Sequence, residues 1–302
     1  MKLLILLSLI FSLHVSAQTV DTAHINQHLK SIINTEKPRN YRNMESLNFV
    51  ATYIYDNFKQ YADTVYFQPY EVEGKTYKNV VAIFGVEFSK TVVVGAHYDV
   101  CGEQDGADDN ATGLVGLLEL AKLLKGQVIN HRIELVAYTL EEPPFFRSEN
   151  MGSYIHAKSL SENETNVYGM FCLEMIGYFD DSKKSQDYPI GILSMIYGNK
   201  GNYITLVNKL TKGKFSRKFN RQFKKHKQVR TKKFTAPASL PGIDFSDHLN
   251  YWAFGYSALM ITDTAFYRNK NYHQTTDTLE TLDLVRMGKV IETVFLTLTN
   301  LR

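Results

Sequence analysis

Apolar residues recur along this chain with two different periods. Ile25, Leu29, Ile32 and Ile33, and then Leu47, Val50, Ile54 and Phe58, fall mostly three or four residues apart, the spacing that puts side chains on one face of a helix and predicts two amphipathic helices near the start. The period then changes. TVYFQPYEV (64–72) and KNVVAIFG (78–85) read as neighbouring strands, and TVVVGAH (91–97) as a third strand that is apolar on both faces, as a strand covered by helices on either side must be. GLVGLLELAKLLKG (113–126) is apolar almost all round, a buried helix with Gly126 placed to end it. RIELVAYTL (132–140), GMFCLEM (169–175), IGILSMIYG (190–198) and SALMITD (257–263) predict further short strands with helices between several of them. Leu284, Met287, Ile291, Val294, Phe295 and Leu298 mark one face of a C-terminal helix. The alternation predicts an α/β domain with a mixed, mostly parallel central sheet flanked by helices on both faces.

Composition supports a large core without covalent staples: 44% of residues are hydrophobic, 13% aromatic and only two are cysteine. The opening MKLLILLSLIFSLHVSAQ combines a lysine, an apolar stretch from Leu3 to about Leu13 and small residues before Gln18, the layout of a secretory signal, with cleavage expected after Ala17. That core is too short to span a bilayer, and no later run of about 18 uninterrupted apolar residues occurs. The expectation is an exported protein (periplasmic, cell-surface or extracellular) with no membrane span. No proline- or serine-rich linker divides residues 18–302, which read as one domain. In an exported chain a Cys101–Cys172 bridge is expected, with two buried thiols as the alternative.

Charge is unevenly placed. Lys212 to Lys233 holds eleven of the 34 basic residues and no acid, a basic arm on an otherwise acidic body. Such a run is expected to be a solvated face, with polyanion contact as the alternative, and no nucleic-acid partner is expected.

The chemistry concentrates elsewhere. GAHYDVCGEQDGADDNATG (95–113) packs one histidine and five acidic residues into a glycine-punctuated stretch. Carboxylates sharing a site without a cation would hold protons, so a bound metal is the economical reading and a solvated loop the alternative. His97 and Asp99 end the run TVVVGAH, Glu141 and Glu142 end RIELVAYTL, Glu174 ends GMFCL, and His273 follows SALMITD after a short loop. In open α/β sheets ligands bind beyond the carboxyl ends of the strands, so residues far apart in sequence would meet in one crevice. Imidazole and carboxylate donors suit zinc, and two histidines with three carboxylates suit two ions, one carboxylate bridging them. A competing motif fails: HINQH (24–28) has Ile25 where an HExxH protease has its glutamate base. His24 and His28 are therefore expected on a helix surface, and His131 and His156, without acidic company at a strand end, are expected to be structural.

"GAHYDV", "GADDNATG", "TLEEPPFF", "LEMIGYF" and "SDHLNYW...TDTAFYRNKNYHQTTDTLETLD" resemble, in order and spacing, the M28 zinc peptidases, which include secreted bacterial aminopeptidases. The resemblance spans roughly Val65 to the C-terminus and implies the zinc-exopeptidase (phosphorylase/hydrolase-like) fold. Matched position by position, it implies that His97 binds one zinc, His273 the other, and Asp109 bridges them, while Asp108 is not a ligand. Glu141 would be the general acid/base, Glu142 a ligand, and Glu174 the last ligand, where better-known aminopeptidases of the family carry aspartate. Asp99 would orient His97, since residues two apart on an extended segment share a face. Tyr272 matches a tyrosine that donates to the developing oxyanion in some relatives, and Asp247, His248, Tyr267 and Arg268 would line the substrate side. The resemblance implies a zinc-dependent aminopeptidase, with two ions or a reduced one-ion centre, acting on peptides with a free N-terminus. Two alternatives stand beside it: a glutaminyl-peptide cyclotransferase on the same fold, and a non-catalytic exported binding protein.

Overall fold

Helical periodicity at both ends of the chain becomes helix with the expected face inward. In this computed structural model, which describes residues 19–211 and 213–302, α1 (Thr22–Ile33) buries Ile25, Leu29 and Ile32, and α2 (Met44–Lys59) buries Leu47, Val50, Ile54 and Phe58. The Asp21 carboxylate accepts from Ala23 N–H and so caps α1. The export signal proposed for residues 1–17 lies outside the described residues. β1 (Thr64–Val72) and β2 (Lys75–Phe84) form a hairpin whose two turn residues, Glu73 and Gly74, both have positive φ, as a tight turn with the strands' own twist requires. There follow β3 (Thr91–His97), α3 (Gly113–Leu124), β4 (Arg132–Tyr138), α4 (Gly152–Glu162), β5 (Val167–Glu174), α5 (Leu193–Tyr197), β6 (Ile204–Lys209), α6 (Gly213–His226), β7 (Thr231–Ala236), α7 (His248–Ala253), β8 (Ala258–Thr262) and α8 (Leu284–Thr299). Among the described residues no helix is long and apolar enough to cross a membrane.

The strands form one eight-stranded sheet in the order β1-β2-β4-β3-β5-β8-β6-β7. β4, β3, β5 and β8 run parallel side by side, β6 and β7 are parallel to each other, and β2 and β6 join antiparallel at either flank. All four central carboxyl ends therefore lie along one edge, His97 opposite Tyr138 and Glu174 opposite Thr262. Alternation across β3 sends Val92, Val94 and Ala96 into one core and Val93 into the other. The first core is covered by α1, α2, α3, α6 and α8, and the second by α4 and α7.

Two expectations need correction, on the segment 190–198 and on His28. The segment 190–198 is not a strand: it contains the short helix α5, and Ile192, Met195 and Ile196 are exposed. A short apolar run carries no period that separates helix from strand, and the place in the sheet is filled by β6. The basic arm presents the expected solvated face, on an amphipathic helix followed by an edge strand: Lys214, Arg217, Arg221, Lys224 and Lys225 face outward while Phe215, Phe219 and Phe223 of α6 sit in the core. Lys233 lies exposed on edge strand β7, where a lysine discourages pairing with another chain. His28 is not on a helix surface but is 4% exposed, because α2 and α3 close over that side of α1.

Candidate metal centre

β3 delivers His97 to the sheet edge, and the chain then descends to a tight irregular turn, Ala107–Thr112, in which Asp109 and Asn110 leave helical backbone angles before α3 begins. Gly106 opens the turn at φ 59°, and a β-carbon there would lie 2.3 Å from the Asp109 carbonyl oxygen, so the position requires glycine. The turn is held from several sides. The buried Arg39 guanidinium donates to the carbonyls of Tyr98 (2.9 Å), Gly106 (2.7 Å) and Asp105. The Asp277 carboxylate accepts from the backbone N–H groups of Asp108 and Asp109. Asn110 donates to the Leu173 carbonyl at 2.9 Å and accepts from Met175 N–H at 3.0 Å, stitching the turn to the end of β5.

Asp109 lies between the two imidazoles. Its Oδ1 is 3.5 Å from His97 Nε2 and its Oδ2 is 3.2 Å from His273 Nε2. On one side Glu174 comes within 3.4 Å of His97 Nε2; on the other Glu142 comes within 3.2 Å of His273 Nε2. Glu141 is 3.9 Å from His97 Nε2. Asp99 sits behind the cluster: its carboxylate is 3.5 Å from His97 Nδ1 and accepts from the N–H groups of Glu141 and Glu142, at 3.2 and 3.1 Å. Asp99 thus orients His97, whose Nδ1 lies 3.2 Å from the Asp99 carbonyl oxygen, and through its carboxylate the paired glutamates. Asp108 points the other way, accepting from Gly177 N–H and Asn269 Nδ2.

These residues fit a divalent cation. Asp109 Oδ2, Glu142 Oε1 and His273 Nε2 are buried without a hydrogen-bond partner, a costly state for polar atoms that a shared metal relieves. The proton balance agrees. Burial opposes charge on His97, but Glu174 and Glu141, then Asp109 and Asp99, hold its imidazolium well above the ordinary range. Burial likewise opposes charge on His273, which Asp109 and Glu142 raise to about 10. Burial and Asp109 push Glu142 up to about 7 against the two histidines, and burial lifts Glu141 well above its usual value, with Glu142, Glu174 and Asp247 adding to the rise and His97 opposing it. A surplus of negative charge retains protons on imidazoles and carboxylates alike, and metal binding displaces such protons.

Beside this cluster opens a cleft reaching Glu174 and Tyr272 and walled by Tyr188, Tyr197, Tyr203, Phe234, Phe245 and Phe266. Of the residues expected on the substrate side, Tyr267 lines it; Asp247, His248 and Arg268 do not. His248 is fully buried, donating from Nε2 to the Ile243 carbonyl at 2.7 Å, with Nδ1 3.5 Å from Cys172 Sγ. Arg268 braces the wall from behind, bonded to Gln186 and the Tyr178 carbonyl. Asp247 is fully buried, its carboxyl pushed up to about 7 by burial, with His97 opposing. Position next to a motif did not determine which way these side chains face. Tyr272 stacks on His273 at 3.8 Å between ring centroids, and burial, with Asp109, Glu142 and Glu141 near it, keeps its phenol protonated.

The expected Cys101–Cys172 bridge is not formed; both are free thiols. Cys172 belongs to the core under α7, whereas Cys101 sits at the cleft, its Sγ within 4.8 Å of a donor atom of Glu142 and of one of His273. Sequence reading missed Arg39, Asp277, Asn110 and Ser246, whose hydroxyl donates to Glu174 at 2.8 Å. None carries a local signal, since each acts on a segment remote in the chain.

Residues 79–298 match the family model of peptidase family M28. The uncharacterized protein YfbL of Escherichia coli (strain K12) is 40% identical over 284 residues, covering 91% of this chain and 87% of YfbL. Among solved structures, the Legionella pneumophila LapA aminopeptidase superposes with a TM-score of 0.70 at 18% identity, over 93% of this chain and 73% of that one. A Bacteroides thetaiotaomicron glutaminyl cyclase bound to N-acetylhistamine superposes with a TM-score of 0.70 at 16% identity, over 95% and 100%. Those two likenesses speak for the fold, the mixed α/β architecture of the zinc exopeptidases. With a family match across most of its length and a close relative spanning nearly all of it, the chain belongs to peptidase family M28.

Proposed function

We propose that this protein is an exported zinc-dependent aminopeptidase that removes residues from the free N-terminus of peptides. Asp109 carries the reading: its two carboxylate oxygens face two different imidazoles, one flanked by Glu174 and the other by Glu142, an arrangement that suits two ions sharing one carboxylate. His97, Asp109 and Glu174 would hold one ion, and His273, Asp109 and Glu142 the other. Zinc so held supplies Lewis acidity toward a carbonyl oxygen and acidifies water.

The chain's own residues supply the rest. The Glu141 carboxylate takes a proton from the attacking water and delivers it to the departing amine, and peptide hydrolysis needs both transfers. Asp99 fixes the backbone that presents Glu141 and, through His97, the opposite side of the site. The Tyr272 hydroxyl, kept protonated, donates to the carbonyl oxygen as it gains charge. Surplus carboxylate charge also favours a substrate ammonium group. The side chain of the first residue enters the aromatic-walled cavity, so large apolar or aromatic first residues are preferred.

Unblocked peptides beginning with Leu or Phe should release that residue, and N-acetylated versions should not. Release should stop with a chelator and with Glu141→Gln; activity that survives both rejects the assignment. A second reading is glutaminyl cyclisation, supported by a neighbour of that name on the same fold and by Glu174 standing where better-known aminopeptidases carry aspartate. A Gln-initiated peptide separates the two: cyclisation lowers its mass by ammonia, hydrolysis by a whole residue.

A further inference from the structure

On the face of the sheet covered by α1, α2, α3, α6 and α8, α1 carries His24 and His28 one turn apart, and α3 presents Glu119 to both. His24 Nδ1 contacts the Glu119 carboxylate, and His28 Nε2 lies 3.9 Å from the same oxygen. One donor atom from each of the three residues falls within 4.8 Å of the others. The two rings meet edge to face, 4.3 Å between centroids. Glu119 is 2% exposed and His28 4%, so water does not freely separate them.

His28 is oriented from behind. Its Nδ1 is 2.7 Å from the Tyr53 hydroxyl on α2. In the tautomer whose Nδ1–H donates to that oxygen, the Nε2 lone pair points toward Glu119 and is free to bind a cation shared with that carboxylate. A ligating histidine has this layout, one ring nitrogen aimed at the metal and the other held by a hydrogen-bond partner. A tetrahedral zinc with bonds near 2.0–2.1 Å spaces its donors roughly 3.4 Å apart, so a side-chain shift of about half an ångström brings His28 to Glu119.

We propose that His24, His28 and Glu119 form a second metal site, separate from the central cleft, that takes a zinc-class divalent ion and clips the first helix onto α3. Two imidazoles and one carboxylate select zinc-class ions over magnesium or calcium, which demand oxygen donors. His24, whose side chain is 29% exposed, forms the solvent side, where a water completes the shell. The clip ties the N-terminal helix to the helix that starts directly after the Asp109 turn.

The test counts metal. The full chain is stripped with a chelator, reloaded with zinc, dialysed and assayed by mass spectrometry. Glu119→Gln and His24→Ala should each hold one equivalent less than the unaltered chain, with peptide hydrolysis changed less than about twofold. His97→Ala/His273→Ala should keep one equivalent and show a zinc-dependent rise in thermal midpoint that disappears when Glu119→Gln is added. Unchanged metal content in both Glu119→Gln and His24→Ala, or no thermal response in His97→Ala/His273→Ala, overturns the proposal. If Glu119→Gln does not fold, His24→Ala, at the part-exposed position, decides. Unaltered metal content in His97→Ala/His273→Ala would instead count against the central ligands, so the two readings fail separately.

Discussion

Two clusters of histidine and carboxylate sit in this molecule with opposite electrostatic balance. At the central cleft, two imidazoles face Asp109, Glu141, Glu142 and Glu174, and the excess of acid holds His97 well above its ordinary range and His273 at about 10. Between α1 and α3, two imidazoles share one carboxylate, and burial, with His24 and Lys122 adding, pushes His28 down to about 4. The same side chains thus offer different metal sites. One sets four carboxylates against two imidazoles and is dominated by negative charge; the other sets a single carboxylate against two imidazoles and has no such surplus. A fifth histidine, in neither cluster, marks the boundary. His156 also has a tyrosine hydroxyl behind it, Tyr251 at 2.7 Å, and a glutamate in front, Glu134 at 3.4 Å, but there Arg132 supplies the cation at 2.8 Å.

Glu141→Gln is expected to have the largest effect: a fall of about 10²–10⁴-fold in peptide hydrolysis, with metal content unchanged at both sites by mass spectrometry. Arg39→Ala should cost about 3–5 kcal/mol in denaturant unfolding, because three carbonyls of the Asp109 loop lose a buried charged donor. It should weaken the central site and leave the zinc between α1 and α3 in place. Glu134→Gln should cost about 1–3 kcal/mol at neutral pH and remove no metal. Burial raises Glu134, but His156 and Arg132 outweigh it and hold it below its usual value of 4.5. Its contribution is therefore complete above that value and is lost as pH falls through the lowered folded one. Unfolding curves of Glu134→Gln and the unaltered chain should accordingly converge in acid. Tyr53→Phe should weaken zinc at the α1–α3 site about tenfold and leave hydrolysis alone. Lys122→Ala, removing a cation near His28, should tighten that site a few-fold by zinc titration.

The central cleft was legible because His97, the Glu141–Glu142 pair and Glu174 lie at or just beyond the ends of β3, β4 and β5, with Asp109 and His273 in the segments that follow β3 and β8, and parallel strands deliver their carboxyl ends to one edge. The site between α1 and α3 was not legible. HINQH shows the helical spacing of two imidazoles, but Glu119 lies some ninety residues away inside an apolar helix, and only packing turns it toward them. The basic run behaved similarly. Phe215, Phe219 and Phe223 carry a helical period inside it, but net charge drew attention to the solvated side.

Local pattern determined six of the sheet's strands, β1 to β5 and β8, the helices at either end and the set of residues able to bind metal at the cleft, because periodicity and donor chemistry are properties of neighbouring residues. Direction was decided only in three dimensions. That His248 and Arg268 stand behind the cavity wall, that Cys101 and Cys172 do not pair, and that Arg39 and Asp277 clamp the Asp109 turn all depend on which elements pack together. Burial and hydrogen bonding between remote segments set those choices, and neither is written in the residues next door.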